Sequence, residues 1–202
     1  MNLLIAGAGG QAKGLLGVFR YENYIREVSL FDNISDNLPD KLFGEYKILT
    51  TDQEVKDLFE RGSRLFVVAI SSPEERRKMT EKLLSLGGIN MSYLSSKSLI
   101  SRHNNISEEG VIINASCEIS SDVTIGRGVL LGVKVLIGHD ATIGEFTTLG
   151  PKVKVLGYAT IGNNCVIGTG VTIMPKVKIG DNVTIGINVM VRKSVPDNTI
   201  IE

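Results

Sequence analysis

Only two histidines occur in the 202 residues, and one of them stands where a proton-transfer group would be useful. His139 lies in Ile137-Gly138-His139-Asp140. Imidazole titrates close to neutrality, so it is the side chain best suited to take and return a proton there. Asp140 beside it could hold one tautomer by a hydrogen bond, or could simply be a turn residue. An outward histidine equally fits a solvated surface position. His103, in Ser101-Arg102-His103-Asn104-Asn105, reads as a loop residue. A second centre lies near the N-terminus, where Gly7-Ala8-Gly9-Gly10-Gln11-Ala12 follows the apolar run Leu3-Leu4-Ile5-Ala6. Gly7-x-Gly9-x-x-Ala12 is the alanine-ended form of the nucleotide-binding fingerprint. Its glycines let the backbone approach a phosphate, and the helix behind it offers free N–H groups. Asp32, 20 residues past Ala12, ends the next apolar run, where a carboxylate can accept from a sugar or a base. A plain tight strand-to-helix turn would carry the same glycines.

The elements that must hold His139 repeat every six residues. From Ile113 to Val191, all 14 positions at that spacing are Ile, Leu or Val. The next residue is Gly in 9 of the 14, and the fifth is always small: nine Val, with Cys117, Ala141, Thr147, Ala159 and Cys165. Such a period suits neither an amphipathic helix nor a two-residue alternation, but it does suit a parallel β-helix of hexapeptides. Each hexapeptide is a short strand and a corner, with the first and fifth side chains inward and Gly or Asn allowing the bend. Three hexapeptides make an 18-residue triangular coil, so the 14 predict between four and five coils, with phase unbroken through Pro196. Stacked coils would lie about 4.8 Å apart. One coil on from His139 is Gly157, in a hexapeptide whose glycine is displaced by one place. That leaves room beside the imidazole for an extended ligand and a backbone N–H; local turn geometry would ask for the same glycine. Cys117 and Cys165 fall at inward positions on different faces and read as small core residues beyond disulfide reach.

The N-terminal half alternates differently. Leu3–Ala6, Val28–Phe31 and Leu65–Ile70 predict strands. Apolar residues Leu15, Leu16 and Phe19 predict a helix after the glycine loop, and Ser72-Pro73 opens another that reaches about Leu86. Residues 89–94 suggest a last strand. The pattern implies an α/β domain with a half-Rossmann-like parallel sheet over residues 1–97, followed by the β-helix over residues 98–202. About 95 residues hold half of a dinucleotide fold, so a mononucleotide or nucleotide-sugar fits better than NAD.

Composition narrows the partners. Lys+Arg is 22 and Asp+Glu is 22, which argues against nucleic acid and membrane surfaces. No apolar run approaches a membrane span, and no basic region precedes Leu3-Leu4-Ile5 as in a secretory signal. A cytoplasmic protein is expected.

With these residues in place, the sequence resembles the bacterial sugar O- and N-acetyltransferases that join a nucleotide-sugar domain to a left-handed β-helix. The specific parts of the resemblance are the Gly7–Lys13 loop on its leading strand and the segment from Gly138 to Phe146, with Asp140 after the histidine. The resemblance implies a homotrimer using acetyl-CoA and a sugar nucleotide, with no metal. His139 would be the general base toward the sugar amine or hydroxyl, oriented by Asp140, with direct attack on the thioester. Gly157 would offer its N–H near the thioester carbonyl. Thr169 and Ile187, on a different corner from His139, would lie by the CoA in a groove between neighbouring subunits. Ala8, Gly9, Gly10, Gln11, Asp32, Ala69 and Ile70 would hold a uridine nucleotide. The chain departs from the family at Gln11 and Ala12, where Gly-His-Gly is common, at Thr148, where some members have a second histidine, and at Ser96.

N-acetylation of a nucleotide-linked amino sugar is the leading expectation, and O-acetylation of a sugar such as sialic acid is the alternative. A β-helix serving only as a scaffold is a third. A zinc carbonic anhydrase of this architecture needs three histidines, and the chain has two.

Overall fold

The computed structural model describes residues 2–19 and 27–202, and the chain divides into two compact units. The first comprises the residues up to Ser71 with Glu75–Met91. The second comprises Ser92–Glu202 with Ser72–Glu74.

The first unit runs β1 (Asn2–Ala6), α1 (Gly10–Phe19), β2 (Glu27–Phe31), β3 (Lys41–Leu42), β4 (Tyr46–Leu49), α2 (Asp52–Arg61), β5 (Leu65–Val68), α3 (Pro73–Ser85) and β6 (Ile89–Asn90). The sheet order is β3-β4-β2-β1-β5-β6, parallel throughout except for the β3–β4 pair. Central β1 is buried on both faces from Leu3 to Ala6, which is why it reads as a continuous apolar run rather than an alternation. Leu4, Ala6, Phe31, Phe66 and Val68 pack with Val55, Phe59, Met79 and Leu83 of the helices. The sequence reading passed over β3, β4 and α2. The signal for α2 was present as a capping box: Thr51 Oγ1 accepts from Glu54 N–H at 3.3 Å, and Glu54 Oε2 accepts from Thr51 N–H at 3.2 Å.

The second unit is a left-handed parallel β-helix with faces of seven, six and five strands. The inward aliphatic and small residues form one continuous core. Thr147, the polar member of the small set, is fully buried. Its hydroxyl donates to Gly162 O at 2.7 Å and accepts from Cys165 N–H at 3.0 Å. Three details correct the sequence reading. Tyr93–Leu94 pairs with Ile112–Ile113 and is the first rung of the coil, not a last strand of the sheet. The β-helix therefore starts at about residue 92 rather than 98 and exceeds five coils. One extra residue follows Ile106, so Leu94 faces Ile113 at a spacing of 19 before the 18-residue register sets in. The last coil is two residues short: Ile179 faces Val195 and Ile185 faces Ile201. Val195 thus takes a first-slot position, and the phase ends after Val191 rather than at Pro196.

The second-slot glycines serve stacking rather than bending. A Cβ on Gly138 would sit 2.7 Å from Gly157 N, and one on Gly150 would sit 2.8 Å from Thr169 N. The left-handed bend falls two residues later, at Asp122, Lys134, Asp140 and Tyr158, with φ near 60°.

Candidate active site

In the first unit the chain turns from β1 to β2 on one side and from β5 to β6 on the other, so the order reverses between β1 and β5. The loops leaving the carboxyl ends of such strands diverge and leave a crevice. A cavity of about 430 Å³ opens there, lined by Gly7, Gly9, Gly10 and Gln11 after β1, by Asp32, Ile34 and Ser35 after β2, and by Ala69, Ile70 and Ser71 after β5. Glu75 and Met79 of α3 complete it. Gly7 is required twice over: its φ is 101°, and a Cβ would lie 3.0 Å from Ala69 O. At Gly9 and Gly10 a Cβ would meet nothing within 4 Å, so their backbone stands bare at the cavity and the start of α1. No lysine or arginine lines the cavity among the described residues, and the N-terminal end of α1 contributes positive potential to it.

Six of the seven residues expected to hold the nucleotide line this cavity. The seventh, Ala8, is buried, and its N–H donates to Asp32 Oδ2 at 3.0 Å. Ser35 Oγ donates to the same oxygen at 2.9 Å, while Asp32 Oδ1 accepts from Ile34 N–H at 3.1 Å and Ser35 N–H at 2.9 Å. Burial pushes the Asp32 carboxyl up. The amide bonds from Ser35, Ile34 and Ala8 and the Ser35 hydroxyl outweigh burial and hold it below its ordinary value. Asp32 thus ties the glycine loop to the β2 turn, and its acceptor positions are filled by its own chain. Arg76, 1% exposed, fixes the opposite wall: Nη1 donates to Ile70 O at 2.7 Å and to Ser71 O at 3.0 Å. Burial pulls its guanidinium down to about 9, still protonated at neutral pH. The sequence reading missed Ile34, Ser35, Ser71, Glu75 and Met79. The crossover between β1 and β5 would have pointed to both loops.

In the second unit His139 and Gly157 are neighbours on one corner, as the 18-residue spacing predicted. A Cβ on Gly157 would sit 2.9 Å from His139 Nε2 and 3.0 Å from Cε1. The bare Cα therefore gives the imidazole its place as much as it leaves room for a ligand. His139 Nδ1 lies 2.8 Å from Asp140 Oδ2. A carboxylate only accepts, so this contact selects the tautomer of the neutral ring with the hydrogen on Nδ1 and the lone pair on Nε2. Among the described residues Nε2 bonds to no group, and the Gly157 N–H has no acceptor. The Tyr158 ring stands edge-on to the imidazole at 5.1 Å between centroids, a neighbour the sequence reading did not weigh. Thr169 and Ile187 also stack one coil apart, with Asn188 N–H donating to Thr169 O, and both are exposed. They follow strands of the seven-stranded face, whereas His139 and Gly157 follow strands of the six-stranded face, so one protomer does not bring the two pairs together. Cys117 and Cys165 are free and buried; burial pushes both thiols up. No helix among the described residues is long and apolar enough to cross a membrane.

Comparison with known proteins agrees with this division. Residues 2–83 match the PglD N-terminal domain, and residues 140–175 match the bacterial transferase hexapeptide (six repeats). No curated protein matches the chain. Among solved structures, a mutant of perosamine N-acetyltransferase from Caulobacter crescentus, in complex with CoA and GDP-perosamine, superposes with a TM-score of 0.90 at 24% identity, covering 99% of this chain and 92% of that one. The acetyltransferase domain of PglB from Neisseria gonorrhoeae, in complex with acetyl coenzyme A, gives 0.86 at 20% identity over 98% and 94%. WeeI from Acinetobacter baumannii gives 0.84 at 22% identity over 100% and 97%. The chain thus carries one segment similar to the PglD N-terminal domain and one similar to the bacterial transferase hexapeptide, and it shares the fold of these solved structures along nearly its whole length.

Proposed function

We propose that the protein is an acetyl-CoA-dependent acetyltransferase acting on the amine of a nucleotide-linked amino sugar. The observation that carries this reading is the His139 corner: an imidazole with Nδ1 anchored on Asp140, Nε2 open, and an unpartnered Gly157 N–H beside it. His139 Nε2 takes the proton from the sugar nitrogen as that nitrogen bonds to the thioester carbonyl carbon. The Gly157 N–H donates to the carbonyl oxygen as negative charge develops there. The C–S bond then breaks, and the imidazolium returns its proton to the departing CoA thiolate. Asp140 stabilises the transient imidazolium and fixes its tautomer.

Thr169 and Ile187 line the run of CoA along their corner. Because that corner differs from the one bearing His139, the reading requires a second copy of the chain to complete the acetyl site, consistent with a homotrimer. The cavity between β1 and β5 takes the nucleotide, with the diphosphate at the bare glycine loop. The fold shared with structures holding CoA and GDP-perosamine supports this assignment.

The deciding experiment is thiol release from acetyl-CoA with a panel of UDP- and GDP-linked amino sugars, their hydroxyl counterparts and free sialic acid. Release with an amino sugar nucleotide alone supports the proposal. Release with hydroxyl acceptors alone would replace N- by O-acetylation, and silence across the panel would reject it.

A further inference from the structure

The left-handed corner position recurs every six residues along the coil, and Asn, Asp, Gly, Ser and Lys fill nearly all of it. Two occupants are aromatic, Phe146 at φ 52° and Tyr158 at φ 61°. A bulky residue is strained there and persists only when something else holds it. For Phe146 the compensation is burial. Its side chain is packed away over Gly128, where a Cβ would sit 2.6 Å from Cε1, with the Arg127 guanidinium 5.6 Å from the ring centre. Tyr158 has no such compensation, being 52% exposed. Its ring contact is with His139, perpendicular and 5.1 Å between centroids.

His139 needs such a neighbour. Its side chain is 58% exposed, so the core does not fix it. The Asp140 bond holds one ring atom, and a ring held at one atom can still swing about that bond. Gly157 lies against the Nε2–Cε1 side and limits the swing in one direction. A second surface at right angles is required to define the plane.

We propose that Tyr158 is a positioning residue for His139, its ring held edge-to-face against the imidazole so that Nε2 stays aimed at the reacting atoms. This rests on the reading of His139 as the base. Tyr158→Asn places at this corner the residue type found at Asn164 and Asn182. With acetyl-CoA and the amino-sugar nucleotide, the variant is expected to lose about tenfold in kcat, keep both KM values within about twofold, and melt at the same or a higher temperature because the backbone strain is relieved. Tyr158→Phe, which keeps the ring, is expected to retain kcat within about twofold. An unchanged kcat in Tyr158→Asn overturns the proposal. So does a loss carried by KM, which would mean the ring touches substrate, or a loss in Tyr158→Phe equal to that in Tyr158→Asn, which would assign the effect to the hydroxyl. His139→Ala separates the two readings: if it stays active the base assignment fails, and if it is inactive the Tyr158 variants judge the positioning role alone.

Discussion

At the end of β2 the Asp32 carboxylate accepts four hydrogen bonds from its own chain, whereas on the coil His139 commits Nδ1 to Asp140 and leaves Nε2 open. The first arrangement builds a wall, and the second presents an open ring nitrogen. The cavity of the first unit is a consequence of topology, made where three loops leave neighbouring strands and then held by Asp32 on one side and Arg76 on the other. The His139 corner is a local departure from a repeat whose backbone is nearly the same at every rung. Cavity shape comes from the fold in one unit, while an open ring nitrogen comes from single substitutions on a uniform frame in the other.

The largest effect is expected from removing the reactive atom. His139→Ala should lower kcat by roughly 10²–10⁴-fold with the melting temperature unchanged, since the side chain is exposed. Thiol release read against a thermal melt checks this, and an intact rate would place the chemistry elsewhere. Gly157→Leu comes next. Its side chain would displace the imidazole before it reached any groove, so kcat should fall by about 100-fold. Affinity for CoA, measured by calorimetry, should also weaken; a loss confined to CoA binding would show that the ring had not moved.

Asp32→Ala tests the contrasting wall. It leaves the Ala8, Ile34 and Ser35 donors without their acceptor and should cost about 1–3 kcal/mol of stability. It should also raise the KM for the sugar nucleotide more than that for acetyl-CoA. A normal denaturation midpoint would show that the hydrogen-bond cluster contributes little. The carboxyl sits below its ordinary value in the folded state, so its stabilising contribution is complete above the ordinary carboxylate range and is lost as pH falls through the lowered value. Urea midpoints should therefore fall more steeply below about pH 4 in the parent than in Asp32→Ala. The smallest effect belongs to Thr51→Ala, which removes half of the α2 capping box and should cost about 1 kcal/mol. Turnover at saturating substrate should be untouched; a fall in kcat would mean that α2 participates in the site.

Much of the coil was legible because its rule is local. An inward residue at every sixth place follows from strand pleating and an 18-residue turn, so Ile113 to Val191, and the meeting of His139 with Gly157, could be read by counting. Counting failed where the repeat has no side-chain mark. The entry rung at Tyr93–Leu94 lacks the glycine signature, and the two-residue contraction before Val195 leaves a valine in place and so looks regular. Tyr158 escaped because the left-handed φ of its corner, which makes a bulky side chain costly there, is not written in the sequence. In the first unit, β1, α1, β2, β5 and α3 announce themselves by apolar runs and caps, but β3 spans two residues and Lys47 interrupts the apolar run of β4, which is no shorter than β5.

The amino-acid order by itself determined the two-unit plan, the coil and the stacking of His139 beside Gly157, because each is written in spacing along the chain. Tertiary structure decided what spacing does not encode: that loops after β1, β2 and β5 converge on one cavity, that Asp32 is already saturated by donors, and that Tyr158 stands perpendicular to His139. The physical reason is that cavity walls and ring contacts depend on residues separated along the chain, and that the Asp32 bonds to Ile34 and Ser35 depend on a turn conformation that residue order does not state.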